Sequence, residues 1–143
     1  MDFTGEFRHS IDAKGRLIVP SSLREPLGRT VRLSRWLDNC IAVWSEEGWD
    51  RIVGQLQEQA RSNPKTRRFV RQFTSSTSPE EIDKQGRVSV SQKLRDLAGI
   101  DKNTVVIGAL DHVELWDPER WAQHEADTVE GESFDDLASG LDF

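Results

Sequence analysis

One six-residue stretch is written twice along this chain: residues 11–16 read IDAKGR and residues 82–87 read IDKQGR. Aligned at an offset of 71, both copies run I-D-x-x-G-R, an apolar residue, x, V, then three residues and L-R, from Ile11 to Arg24 and from Ile82 to Arg95. The match continues downstream. LREPLG (23–28) falls opposite LRDLAG (94–99), and after a one-residue insertion NCIAVWSEEGW (39–49) falls opposite DHVELWDPERW (111–121). Each half therefore holds the same supersecondary unit. A unit with one apolar face cannot bury that face alone, so the two halves are expected to pack on each other as a pseudo-symmetric pair.

The unit can be read from local patterns. Phe7, His9 and Ile11 alternate, as do Leu17 and Val19, and Gly15 stands where a tight turn needs a positive φ. That spacing predicts a hairpin, with an equivalent closing at Gly86 and placing Val88 and Val90 on the inward face. The two turns, with Arg16 and Arg87, should project from one edge. Short helices follow at Ser21-Ser22-Leu23-Arg24 and at Ser91-Gln92-Lys93-Leu94-Arg95, each expected to start at a serine cap and to end before Gly28 or Gly99. Apolar runs at 31–33, 41–44, 105–107 and 113–116 have strand length. Ser45 caps a helix striped by Trp49, Ile52, Val53 and Leu56, and Asp117-Pro118 opens the matching helix around Trp121.

The chain has 143 residues and one cysteine, Cys40, so no internal disulfide is possible and a reducing compartment suits it. No apolar run has transmembrane length, and MDFTGEFRHS has no apolar signal-peptide core, which predicts a cytoplasmic protein without a membrane partner. The net charge of −6 is unevenly spread. Residues 1–73 carry 13 Lys or Arg against 9 Asp or Glu, whereas residues 74–143 carry 6 against 16. Seven of those acids lie in the last 19 residues, which contain no cation; the rest of the chain is nearly neutral, at +1. A neutral body still binds nucleic acid when its cations share a face.

Asp and Arg four apart across a turn can bond, and the Asp can also accept from turn amides. Asp12 with Arg16, and Asp83 with Arg87, can therefore be simple turn staples. Alternatively they aim guanidinium forks at guanine O6 and N7 in a major groove, with Lys14, Lys84 and Gln85 close enough to touch phosphates or base edges. PKTRRFVRQF (64–73) is either a second phosphate-contacting patch or a solvated helix face whose Phe69, Val70 and Phe73 pack inward. His9, His112 and Cys40 have no metal-ligand spacing, and there is neither a nucleophile elbow nor a phosphate-cradling Gly loop. No metal, cofactor or enzymatic activity is expected.

DAKGRLIVP (12–20), RQFTSSTSPEEIDKQGRVSV (71–90) and VELW (113–116) resemble the MraZ transcriptional regulators, which carry two SpoVT-AbrB-type repeats with a D-x-x-x-R signature. The resemblance spans about residues 1–124. It implies an α+β fold in which two intertwined swapped-hairpin β-barrel-like repeats form one pseudo-symmetric domain with peripheral helices, assembling into a homo-oligomeric ring. It further implies a cytoplasmic, nucleoid-associated, sequence-specific DNA-binding regulator of transcription. Its partner would be double-stranded DNA carrying short G-rich direct repeats near the promoter of the division and cell-wall gene cluster. Carried over by position, the signature falls on Asp12–Arg16 and Asp83–Arg87, making Arg16 and Arg87 the base readers and Lys14 a supporting contact; Lys84 and Gln85 join them as DNA-binding candidates by their place in the turn, and Asp12, Gly15, Asp83 and Gly86 support the motif. Two positions depart from the family pattern: Ser91 stands where the first repeat has Pro20, and Ser75-Ser76-Thr77 replaces a Ser-Gly-Ala-like stretch.

The expected organisation is a first repeat with its helix (1–60), a basic connecting helix (61–73), a second repeat (74–124) and an acidic tail (125–143). The tail reads as a disordered solubilising segment. Its Phe134, Leu137 and Leu141, spaced by three and four, also suit docking on a basic surface of its own ring or a neighbour. The competing function is a ring-forming protein-binding adaptor without specific DNA recognition; an antitoxin relative with the same barrel is a third reading, which the two repeats in one chain disfavour because such proteins usually carry one.

Overall fold

The computed structural model describes residues 2–125 and 132–143. The first half runs β1 (Glu6–Ser10), β2 (Arg16–Ile18), α1 (Ser21–Leu27), β3 (Thr30–Arg35), β4 (Ile41–Ser45) and α2 (Glu46–Ala60). After α3 (Pro64–Ser75) the same order returns as β5 (Ser78–Glu81), β6 (Arg87–Ser89), α4 (Gln92–Ala98), β7 (Asn103–Gly108), β8 (Val113–Trp116) and α5 (Pro118–Glu125). The fold is α+β with antiparallel sheets, and all four predicted apolar runs are strands.

The strands pair across the two halves. A six-stranded sheet has the order β1-β7-β8-β4-β3-β5, and β2 pairs with β6 in a separate two-stranded ribbon. Equivalent strands sit at mirrored places in that order, so β1 lies on the second half's β7 and β5 on the first half's β3. This corrects the expected hairpins. Each turn closes as predicted, through Asp12 N–H to Arg16 C=O (2.9 Å) and Asp83 N–H to Arg87 C=O (2.9 Å). Beyond the Ile11–Leu17 bridge, however, the arms of the first turn part, because β1 finds a ladder of five residue pairs on β7. Reciprocal bonds lock the exchange: Val19 N–H donates to Gly86 C=O and Val90 N–H to Gly15 C=O, both at 2.8 Å. Among the described residues no sheet closes into a barrel.

The main core lies between the ribbon, α1, α4 and one face of the large sheet. Leu17 and Val88, Val19 and Val90, and Leu23 and Leu94 are repeat-equivalent pairs, all buried. Each such side chain contributes about 1.5–3 kcal/mol through burial. On the other face of the sheet, Trp49, Ile52 and Leu56 of α2 and Phe69 and Phe73 of α3 pack over Ala42 and Trp44. The expected stripe on α2 is thus its packing face; all four of its side chains are half-buried, and Val53 alone stays outside this cluster. Ser45 caps α2 by accepting from Gly48 N–H (3.1 Å), and Asp117 accepts from Arg120 N–H (3.0 Å) at the start of α5.

One predicted cap is absent. Ser91 accepts from Leu94 N–H (3.2 Å) and caps α4, but α1 starts from Pro20, which has no side-chain acceptor, and Ser21 is already helical. Pro20, with φ −51°, sets the entry angle instead, so the Pro-to-Ser departure exchanges a rigid entry for a side-chain cap. The tail expected over 125–143 falls in part on residues 126–131, outside the described residues. Within the rest, Phe134–Ala138 forms a short helix, α6, opened by a Ser133–Asp136 capping box.

Candidate nucleic-acid interface

The ribbon sets the geometry of the repeated hexamer. Its register pairs Arg16 with Ser89, Leu17 with Val88 and Ile18 with Arg87. Leu17 and Val88 point into the core at 1% exposure, so strand alternation turns Arg16, Ile18, Arg87 and Ser89 to the opposite face. Arg16 and Arg87 are therefore diagonal neighbours, with backbones about 7–8 Å apart. Because the strands are antiparallel, the turns lie at the two ends of this ribbon, and the arginines converge on one face between them. Lys14 sits at one end; Lys84 and Gln85 sit at the other, and all three are exposed.

Each turn holds its arginine by the same three bonds. Asp12 Oδ1 accepts from the backbone N–H of Lys14 and Arg16 (both 2.9 Å), and Oδ2 accepts from Arg16 Nε (3.0 Å). Asp83 accepts from Gln85 N–H and Arg87 N–H (2.9 Å each) and from Arg87 Nε (2.8 Å). The bond from the Arg16 backbone N–H is the main cause that holds the Asp12 carboxyl below its ordinary range, and that from Arg87 does the same for Asp83; partial desolvation opposes both. The carboxylates stay charged and engage Nε rather than the Nη groups. Among the described residues Arg16 Nη groups have no hydrogen-bond partner, while Arg87 Nη2 donates to Gln85 Oε1 (3.3 Å). The turns differ in charge placement: the position of Ala13 is taken by Lys84, and that of Lys14 by Gln85.

Gly15 and Gly86 have φ of 78° and 80°, the left-handed region that the turn requires. Both are covered by arginines that local reading did not single out. A Cβ on Gly15 would stand 3.0 Å from Arg95 Nη2, and one on Gly86 would stand 2.5 Å from Arg24 Nη1. Arg24 and Arg95 are the repeated L-R arginines of α1 and α4, and each reaches the turn of the opposite half. Arg95 Nε donates to Val90 C=O (3.0 Å), whereas buried Arg24 Nε has no partner among the described residues. Their recurrence at the same offset was the available signal.

The basic stretch resolves into two faces. Phe73 is buried and stacks on Phe69 (5.8 Å between centroids), with Val70 half-buried, while Lys65, Arg67, Arg68 and Arg71 face solvent. His9 lies half-buried in β1. His112 is enclosed by Asp111 (2.6 Å), Glu114 (2.8 Å) and the stacked Trp44 ring (4.9 Å). Burial, with the nearby Glu114 and Asp38 carboxylates, pushes the Cys40 thiol well above its ordinary range, out of the nucleophilic regime. Among the described residues no three His, Cys, Asp or Glu side chains are placed to hold a metal ion, and no helix is long and apolar enough to cross a membrane.

A family model described as "MraZ protein, putative antitoxin-like" matches the chain twice, over residues 3–72 and 73–143. Relatives named transcriptional regulator MraZ align over nearly the whole length. That of Lactiplantibacillus plantarum is 41% identical over 139 residues, covering 97% of both chains, and that of Ligilactobacillus salivarius is 42% identical over 139 residues, covering 97% and 96%. The protein of Acetivibrio thermocellus is 41% identical over 125 residues, 87% of each chain. With one family model matching in two copies that together span the two halves traced by the strand exchange, the chain belongs to the MraZ family.

Proposed function

We propose that this chain is a sequence-specific DNA-binding regulator of transcription. It acts as a ring-shaped homo-oligomer on short G-rich direct repeats near the promoter of the division and cell-wall gene cluster, in the nucleoid of the cytoplasm. The observation that carries this reading is the convergence of Arg16 and Arg87 on one ribbon face, each held at Nε by its own aspartate. A guanidinium fixed in that way retains its two Nη donors for guanine O6 and N7 and loses little side-chain entropy on binding. Lys14 and Lys84 at the ribbon ends would contact phosphates, and Gln85 keeps Arg87 in place or reaches a base edge. The relatives' printed name supports regulation of transcription, and the reciprocal Val19–Gly86 and Val90–Gly15 bonds support a swapped-hairpin core.

One ribbon buries little surface, so specificity gains from several copies on one rim engaging tandem sites. The test is a fluorescence-anisotropy titration on duplexes with two G-rich repeats, at several salt concentrations. Affinity should fall linearly in log-log form, with a slope of about −0.9 per phosphate contacted. Inserting about 5 base pairs, half a helical turn, between the repeats should weaken binding sharply. Salt-insensitive binding would overturn the DNA reading, and indifference to the insertion would overturn the multivalent one.

A protein-binding adaptor is the second reading. Ile18 favours it, being 45% exposed on the same face as the two arginines. An apolar interface centred there would respond little to salt, so the same titration with a candidate protein partner separates the readings.

A further inference from the structure

We propose that the C-terminal segment 132–143 of one chain docks into the groove between α2 and α3 of a second copy. The groove, of about 570 Å³, is floored by Val53, Leu56, Ala60, Val70 and Phe73. Arg61 and Arg67 stand on its rim, Lys65, Arg68 and Arg71 extend the positive charge along α3, and α3 contains no acidic residue. A positively charged rim around an apolar floor selects an acidic segment that carries apolar side chains on one face.

Residues 132–143 have that chemistry. Phe134, Leu137, Leu141 and Phe143 are between 59% and 101% exposed, and they are the greater part of the large apolar side chains that the described residues leave in solvent. Phe134 and Leu137 lie one turn apart on α6, whose capping box predisposes the segment to a helical turn. Glu132, Asp135, Asp136 and Asp142 supply four negative charges with no cation among them. In a single chain both the groove and these side chains stay uncovered, and joining them between copies buries both at once. Groove and segment are different surfaces, so the contact is heterologous, the kind that generates a ring when its rotation closes. The proposal shares self-association with the functional reading but needs no DNA, and its test is made without DNA.

The test mixes two full-length proteins, one bearing Ser139→Cys on the segment and the other Gln57→Cys beside the groove, under mild oxidation. Both positions are exposed, whereas Cys40 is buried and its thiol is held protonated, so Cys40 stays silent. The expected result is an interchain disulfide between the two proteins. Its yield should drop about tenfold or more when the first protein also carries Phe134→Ser and Leu137→Ser, and similarly when the second carries Arg61→Glu and Arg67→Glu. Sedimentation velocity should show the same variants moving to lower mass. All four substituted positions are exposed, and circular dichroism confirms the fold of each variant. A crosslink yield that ignores both sets of substitutions overturns the proposal. So does the absence of any disulfide between the two proteins.

Discussion

Replacing Gly86 by alanine probes both the turn and its cover. Gly86 is buried with φ +80°, donates its N–H to Asp83 C=O (2.9 Å) and accepts Val19 N–H from the other half (2.8 Å). Holding an alanine in the left-handed region costs about 1–2 kcal/mol. The new Cβ would stand 2.5 Å from Arg24 Nη1, 2.7 Å from Cζ and 3.0 Å from Nε, so the guanidinium must swing away. That group is the end of a flexible side chain, and its Nε has no partner to lose among the described residues, so the displacement adds about 0.5–1 kcal/mol. The total is about 2 kcal/mol, which for a chain of this length lowers Tm by about 6 °C. The assay is urea and thermal unfolding followed by tryptophan fluorescence, at one fixed protein concentration, so that any self-association weighs equally on both proteins. In an Arg24→Ala background the same change should cost less, by about 0.5–1 kcal/mol. Equal cost in both backgrounds would refute the packing of Arg24 on the turn, and a neutral Gly86→Ala would refute the turn geometry itself.

Other substitutions test separate parts of the account. Leu17→Ala empties a fully buried position facing Val88 and should cost about 2–5 kcal/mol in urea unfolding; less than about 1 kcal/mol would mean that the ribbon is not packed on the core. At His112, burial lowers the ring's pKa, but the bonds from Glu114 and Asp111 outweigh it and raise the folded value above 6.5. The stabilisation is then fully present below 6.5 and lost as pH rises through the folded pKa. The stability gap between wild type and His112→Gln should therefore shrink as pH rises from 6.5 through the raised folded pKa, and a constant gap would refute the charged pairing. Iodoacetamide should modify Cys40 only as fast as the protein unfolds; modification at the rate of a free thiol would contradict its burial.

The duplication was legible from Ile11–Arg24 and Ile82–Arg95, and with it the strands, the α2 cap at Ser45 and the turn geometry. The Asp12 and Asp83 bonds span four residues at most, so spacing alone reveals them. Strand partners were not legible. The alternation of Phe7, His9 and Ile11 suits pairing with β2 or with β7 equally well, and only packing of the complete core selects β7. For the same reason the diagonal relation of Arg16 to Arg87 emerged only from the β2–β6 register. Arg24 and Arg95 carry no local mark beyond their recurrence, and only the exchange brings each against the opposite turn. Pro20 displaced the expected serine cap of α1 because its own backbone already sets the helix entry.

The most direct test of the account compares wild type with the Arg16→Ala, Arg87→Ala double variant, by fluorescence anisotropy on a duplex of tandem G-rich repeats and on a scrambled duplex. Sedimentation velocity checks that both proteins keep the same assembly. Each bidentate arginine discriminates by about 1–3 kcal/mol. The account predicts that the variant retains its mass and its weak, salt-dependent binding but loses the preference for the repeat duplex. If the variant prefers the repeat duplex as strongly as wild type does, the two aspartate-held arginines are turn staples, and base reading at the ribbon is wrong.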